Sequence, residues 1–117
     1  MKIETFLFKK GTGWSVPALP DWDSDSTLVL AFGWPGDEQG SDALKQLSDA
    51  YPHAHLVGCS TAGEVVGRSV RDESLAVAVC RFEKTRLRTA CAHVETAADS
   101  FRAGVEIAAA LVESDLR

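Results

Sequence analysis

The sequence predicts an α/β domain with a mixed β-sheet, a βαβ unit, an antiparallel hairpin and flanking helices. Two unbroken apolar runs, 28–32 and 75–80, are typical of strands inside a sheet. Between the first run and another short apolar segment, 55–59, lies a stretch with helical apolar spacing, 41–51. Alternating residues at 87–94 follow the second run after a short polar turn, as in a hairpin.

The composition excludes several classes of protein. The chain has 117 residues, is 45% hydrophobic and 25% charged, and carries a net charge of −5, which fits a globular domain rather than a disordered chain. The acidic balance argues against a nucleic-acid partner. No apolar run approaches the roughly 18 residues that span a membrane, so no membrane insertion is expected. Three widely spaced cysteines do not form a secreted disulfide framework, and we expect a cytoplasmic protein.

The N-terminal part, residues 1–26, reads as one strand followed by a long loop. Alternation over Lys2 to Phe8 predicts a half-buried strand, and frequent Gly and Pro from Gly11 to about Thr27 exclude a helix. A loop of this length in a small domain is uncommon and is usually functional. Its residues Trp14 and Trp22 either form a lid over a ligand or cover an exposed edge of the core.

The βαβ unit is the most clearly organised part of the sequence. Leu28–Phe32 predicts a strand that is covered on both faces. Ser41 is the expected N-cap of the helix, and Pro52 should end it at about Tyr51. The short strand 55–59 should then run parallel to the first strand.

The C-terminal part should contain the hairpin and one further helix. A turn between Lys84 and Thr85 would place Cys80 opposite Thr89, which makes a disulfide across the hairpin unlikely. The last helix should run from about Ala97 to the end of the chain. Because an α/β pattern calls for another parallel strand after this helix, the whole chain of 1–117 is expected to be one incomplete domain. The apolar face of the helix should contain Ala98, Phe101, Val105, Ala108, Ala109 and Val112.

The segment from 58 to 64 is the best candidate for a functional site. It follows a predicted parallel strand, and α/β proteins bind ligands beyond the carboxyl ends of such strands. Its glycines allow close approach of a ligand to the backbone, its hydroxyls can form hydrogen bonds, and its carboxylate can receive an ammonium group. An ordinary turn after a strand is the alternative. The predicted ligand-binding residues are Gly58, Cys59, Ser60, Thr61, Gly63 and Glu64.

Catalysis and metal binding are weaker interpretations of the same sequence. Cys59 would need a base, and on a regular strand His55 would lie over roughly 10 Å away, so Cys59 reads more simply as a small core residue. His53, His55 and His93 could supply zinc ligands or one axial haem ligand. The sequence contains no CxxC or HExxH motif, and the histidines read more simply as surface residues. We therefore expect no enzyme and no metal site.

Three segments together resemble a known family. The stretches LVLAFG, ALKQLSDAYPHAHLVGCSTAGEV and SLAVAVCRFEKTRLRTA are similar to the N-terminal part of the FIST domain, the sensory domain of bacterial, archaeal and eukaryotic signal-transduction proteins. The resemblance extends from about Thr27 to the end, and GCSTAGE is its most specific part. It implies that a further strand and a C-terminal FIST half are missing from this chain.

The resemblance also implies a function. It implies a non-catalytic sensory domain that binds a small molecule, such as an amino acid or a similar metabolite, with a histidine kinase or another signalling domain as its partner. Some FIST-like proteins are haem proteins that sense nitric oxide and regulate a histidine kinase, so haem is the alternative ligand. Only the GCSTAGE positions carry a motif match, and no histidine of this chain is assigned to haem by the resemblance.

Overall fold

A computed structural model describes residues 1–33, 36–66, 69–71 and 73–112, with the backbone alone described over 64–66 and 69–71. The chain divides into two compact units, Met1–Leu87 and Arg88–Arg117. Among the helices of the described part, none is long and apolar enough to cross a membrane.

The first unit contains a five-stranded sheet in the order β2-β1-β7-β3-β4. Within it, β3 and β4 pair in parallel, whereas β7 is antiparallel to both of its neighbours, β1 and β3. The mixed sheet and the α/β class are thus as predicted. A separate two-stranded ladder joins β5 and β6. The strands are β1 (Lys2–Lys9), β2 (Gly13–Trp14), β3 (Thr27–Gly33), β4 (His55–Ser60), β5 (Glu64–Val66), β6 (Ser69–Arg71) and β7 (Ser74–Arg81).

The predicted βαβ unit is confirmed, with one correction at the start of its helix. Helix α1 (Glu38–Ala50) connects β3 to β4 and ends at its C-cap Tyr51, as Pro52 predicts. Its N-cap is Asp37 and not Ser41. The Asp37 carboxylate accepts a hydrogen bond from the Gly40 amide at 3.0 Å, so the helix begins a full turn earlier than the sequence pattern indicates.

The core lies between α1 and one face of the sheet. Ala43 and Leu47 of α1 are fully buried against a layer that includes Val29 and Val79. Burial of a leucine of this kind is worth about 1.5–3 kcal/mol. The hydroxyl of Tyr51, which is also in this cluster, donates to the carbonyl oxygen of Pro20 at 2.7 Å.

Within the described part of the first unit, β3 is packed on one face only, and the second cover that the sequence predicts is not found there. Its residues alternate between buried positions, such as Val29, and partly or largely exposed ones, such as Phe32. Strand register places Phe32 on the same face as Ile3 and Val57, and these three side chains are 40%, 54% and 43% exposed. The apolar run of β3 therefore contributes to two faces of the sheet. One face packs in the core, and the other is apolar but partly exposed to solvent.

The predicted hairpin between 75–80 and 87–94 is also wrong. Strand β7 is formed, but 87–94 is not a strand, and Cys80 is paired with Ile3 and Leu28 instead of lying opposite Thr89. The physical reason is that β1 and β3 occupy both edges of β7. The backbone groups of β7 are consequently satisfied by strands that are distant in sequence.

The loop between β1 and β3 covers the edge of the core. Trp14 packs edge-to-face against Phe6 and Phe8, with ring centroids 5.6 and 5.1 Å apart. The indole Nε1 of Trp14 donates to Gln46 of α1 at 2.8 Å, and Trp22 also packs against the core. The two indoles therefore pack against the core. This agrees with the interpretation that they cover an exposed edge of the core.

The second unit contains the predicted last helix, but the helix ends at Leu111 and does not include Val112, whose backbone is extended. A short 3₁₀ turn, Ala97–Asp99, leads into α2 (Ser100–Leu111), and residues 113–117 lie outside the described part. The Asp99 carboxylate accepts hydrogen bonds from the amide and the hydroxyl of Thr96 at 3.0 and 2.8 Å. It also pairs with Arg102, which fixes the start of the helical segment.

Candidate functional site

The candidate site lies where the parallel strands β3 and β4 end together. Register pairs Gly33 with Ser60 at the carboxyl end of the two strands. The amide of Thr61 then donates to the carbonyl oxygen of Gly33 at 3.1 Å, which extends the pairing by one residue. The segment predicted as a site thus starts at the edge where α/β sheets bind their ligands.

Two glycines allow the strands to approach closely at this edge. A Cβ on Gly58 would lie 1.8 Å from the carbonyl oxygen of Ala31, and a Cβ on Gly33 would lie 2.2 Å from that of Ser74. Real Cβ atoms do not come this close to a backbone oxygen. Glycine is therefore required at both positions by the backbone that lies against them.

A cavity of about 250 Å³ opens beside these glycines. Residues Leu56 to Ser60 of β4 form one side, and Leu44 of α1, Leu75 of β7, and Ala31 and Gly33 of β3 form the rest. The cavity forms because Gly33 and Gly58 have no side chains that could fill the layer between the sheet and α1. The β4 side of the cavity is open to solvent, since every residue from Leu56 to Ser60 is exposed.

The structure brings some of the predicted site residues together and leaves others undescribed. Gly58, Cys59 and Ser60 line the cavity, and Thr61 follows immediately. Gly63 lies in the bend before β5. Glu64 begins β5, and its side chain lies outside the described residues. The binding role of these six residues remains a prediction.

Sequence reasoning missed the residues that complete the cavity. Leu44 lies within the predicted helical stretch 41–51, and Leu75 begins the predicted strand 75–80. No motif marks either residue, because they reach the site through the packing of α1 and β7. The sequence does contain a signal for Gly33, because this residue ends an apolar run directly before a segment that contains Pro and Gly.

An ion cluster occupies the N-terminus of α1 at the same edge of the sheet. Lys10 Nζ lies 3.0 Å from Asp37 Oδ2 and 3.4 Å from Glu73 Oε1. The hydrogen bond from the Gly40 amide, together with Lys10, holds the pKa of Asp37 below its ordinary value. The hydrogen bond with Asp37 in turn raises the pKa of Lys10. The positive end of the α1 dipole is thus already capped by a carboxylate.

The histidines do not form a site in the described residues. His53 lies in the turn before β4, where its Nδ1 is 2.7 Å from Asp23 Oδ2, so it does not share a strand face with His55. His93 belongs to the second unit and pairs with Glu95. Across the residues whose side chains are described, no three His, Cys, Asp or Glu residues are grouped as a metal site would require.

The cavity beside Gly58 does not fit haem. A volume of about 250 Å³ corresponds to roughly eight water-sized groups at about 30 Å³ each. A porphyrin macrocycle is several times larger than that. The described residues that line the cavity include no histidine that could serve as an axial ligand.

Comparison with known proteins identifies the family. The family model described as the FIST N domain matches residues 27–117, which is more than half of the chain. Neither a curated protein nor a solved structure matches the chain. The match begins at the first residue of β3 and includes the whole of the candidate site.

Proposed function

Because this chain belongs to the FIST N family, whose domains are sensory domains that bind small ligands in signal-transduction proteins, we propose that it senses an amino acid or a similar metabolite. The proposed binding site is the carboxyl edge of β3 and β4, from Gly58 to Glu64. The bound state is passed on to a histidine kinase or another signalling domain.

The single observation that supports this proposal most strongly is the cavity at the end of the parallel strand pair. It lies where the family motif GCSTAGE begins, and it is open to solvent along β4. Ser60 is exposed at this edge and carries a hydroxyl, and Thr61 follows it in the chain. A small polar ligand would find hydrogen-bonding groups at the rim and an apolar surface inside.

We propose that the domain acts by binding and not by catalysis. Cys59 and His55 lie four residues apart along β4, which is over roughly 10 Å on an extended strand. Strand alternation places the Cys59 side chain on the face opposite Gly58 and Ser60. His53, the other nearby imidazole in sequence, is engaged by Asp23. A nucleophile with an adjacent base is therefore not assembled from these groups.

Calorimetric titration of the full chain with each of the common amino acids tests the proposal. At least one of them should bind, and NMR should recover it chemically unchanged. The Ser60→Ala variant should weaken binding about two- to tenfold, which corresponds to one lost hydrogen bond. Ser48→Ala, which removes an exposed hydroxyl from α1 away from the cavity, should leave the affinity unchanged. If no amino acid binds, the proposed function is wrong.

A further inference from the structure

We propose that the cavity between β4 and α1 receives an uncharged aliphatic group of the ligand, so that the site selects amino acids of the leucine type. This inference rests on the proposed function, because it specifies which amino acids the site accepts. It is carried by the chemistry, volume and opening of the cavity.

Among the residues that the structure describes, the wall of the cavity is mainly apolar and includes no acidic or basic side chain. Leu44, Leu56 and Leu75 contribute its largest side chains, and the remaining lining residues are small. The charged cluster described at this edge, Lys10 with Asp37 and Glu73, is internally paired. A charge that moved from the open side to the apolar wall would therefore give up part of its hydration without gaining a partner from the described lining.

The volume of the cavity limits the size of the group that enters it. About 250 Å³ holds roughly eight non-hydrogen groups if each takes the share of a water molecule, about 30 Å³. A branched four-carbon side chain fits, and about half of this space remains for the rest of the ligand.

The open side of the cavity determines where the polar end of the ligand lies. Gly58 to Ser60 are exposed, and the Ser60 hydroxyl lies at the end of the strand, followed by Thr61. The ammonium and carboxylate groups of an amino acid can remain hydrated at this rim while the side chain points between β4 and α1. The ligand is thus oriented by its own polarity.

The side chains of leucine, asparagine and aspartate have nearly the same branched shape. They differ in the polarity of the groups at the branched end. Burying the amide of asparagine without partners is unfavourable, and burying the carboxylate of aspartate is more so. Leucine should therefore bind at least about tenfold more tightly than asparagine, and aspartate should bind more weakly still.

Titration of the full chain with leucine, asparagine, aspartate and 4-methylpentanoate tests this inference. The last compound keeps the aliphatic group and the carboxylate of leucine but lacks the ammonium group. Tight binding of leucine alone supports both the aliphatic selection and the amino-acid class. Equal binding of 4-methylpentanoate supports the aliphatic cavity but overturns the assignment to amino acids.

Other outcomes overturn the inference in distinguishable ways. If asparagine or aspartate binds within about threefold of leucine, the selection by an apolar cavity is wrong while the proposed function stands. If none of the common amino acids binds, the proposed function is wrong and the inference is wrong with it. Since the unaltered chain is used, neither outcome depends on the folding of a variant.

A pair of variants locates the selected group. Leu44→Phe should fill part of the cavity and weaken leucine binding at least about tenfold, because the lost space is the space that the side chain needs. Leu19→Phe makes the same change at a partly buried position that does not line the cavity, and it should leave binding unchanged. Unchanged leucine affinity in a folded Leu44→Phe protein would place the ligand elsewhere.

Discussion

Among the described glycines whose surroundings are known, Gly58 has the least room for a side chain. The carbonyl oxygen of Ala31 lies where the Cβ of any other residue would be, at 1.8 Å. Gly33 is confined in the same way by β7 on the other side of β3. These two positions let β4, β3 and β7 approach closely, and they leave the space beside Leu44 empty.

Replacing Gly58 by alanine should therefore destabilise the fold. We expect a loss of about 1–3 kcal/mol in the free energy of unfolding, because β3 and β4 must move apart to accommodate the methyl group. The measurement is urea unfolding of the two proteins. Gly104→Ala is the matched control: its Cβ would meet nothing within 4 Å, and alanine should stabilise the interior of α2 by up to about 1 kcal/mol. Equal stability of Gly58→Ala and the original protein would contradict this account.

At the scale of elements, β7 organises the sheet. It follows most of the first unit in sequence, yet it pairs with the first strand of the chain on one side and with β3 on the other. Such pairing requires two distant segments to meet, which local patterns do not encode. The residues after β7 alternate like a strand, but no edge of β7 remains for them.

Hydrogen exchange distinguishes this arrangement from the hairpin. The amides of Val77, Val79 and other interior residues of β7 should exchange at least about tenfold more slowly than the amides of 87–94. The reason is that β7 is hydrogen-bonded within the sheet on both sides, whereas 87–94 is not a strand. Exchange can be followed residue by residue by NMR. Equal protection of the two segments would support the hairpin and contradict the sheet order.

At the scale of the first unit, a single carboxylate joins the long loop to the βαβ unit. Asp23 Oδ1 accepts hydrogen bonds from the amides of His53 and Ala54, both at 3.0 Å, while its Oδ2 lies 2.7 Å from His53 Nδ1. Burial raises the pKa of Asp23, but the hydrogen bonds from His53 and Ala54 outweigh burial and bring its pKa below 3.8. Folding thus favours the ionised form of Asp23.

The lowered pKa of Asp23 determines how the stability of the protein depends on pH. A carboxylate whose pKa is lower in the folded than in the unfolded protein stabilises the folded state at pH values above the unfolded pKa. This stabilisation is lost as the pH falls through the pKa of the folded state. Asp23→Asn should therefore lower the melting temperature near neutral pH, and the difference from the original protein should shrink below about pH 4. Thermal unfolding followed by circular dichroism across this range provides the measurement.

Asp25→Asn is the matched control for charge, since Asp25 is exposed and is not part of the Asp23 hydrogen-bonded cluster. It should unfold close to the original protein at every pH. A difference between Asp23→Asn and the original protein that stays constant down to pH 2 would contradict an electrostatic origin.

The sequence by itself determined the local structure of this protein. Apolar runs, helical spacing and Pro52 were sufficient for β3, α1 and β4 and for their parallel connection, because each of these features acts over a few neighbouring residues. The binding role predicted for the segment that follows, 58–64, stays a prediction. The Asp37 cap was missed, because the apolar spacing of the helix does not extend over its first turn, where the Asp37 carboxylate accepts from the Gly40 amide.

Only the tertiary structure decided which strands became neighbours and what the site contains. The insertion of β7 between β1 and β3 and the cavity enclosed by Leu44 and Leu75 depend on contacts between distant segments. The apolar second face of the sheet is a further example, because an apolar run reports hydrophobicity and not the element that packs against it. Sequence periodicity predicts on which face of its own helix or strand each residue lies. The selectivity proposed for this site depends instead on the space between a strand and a helix.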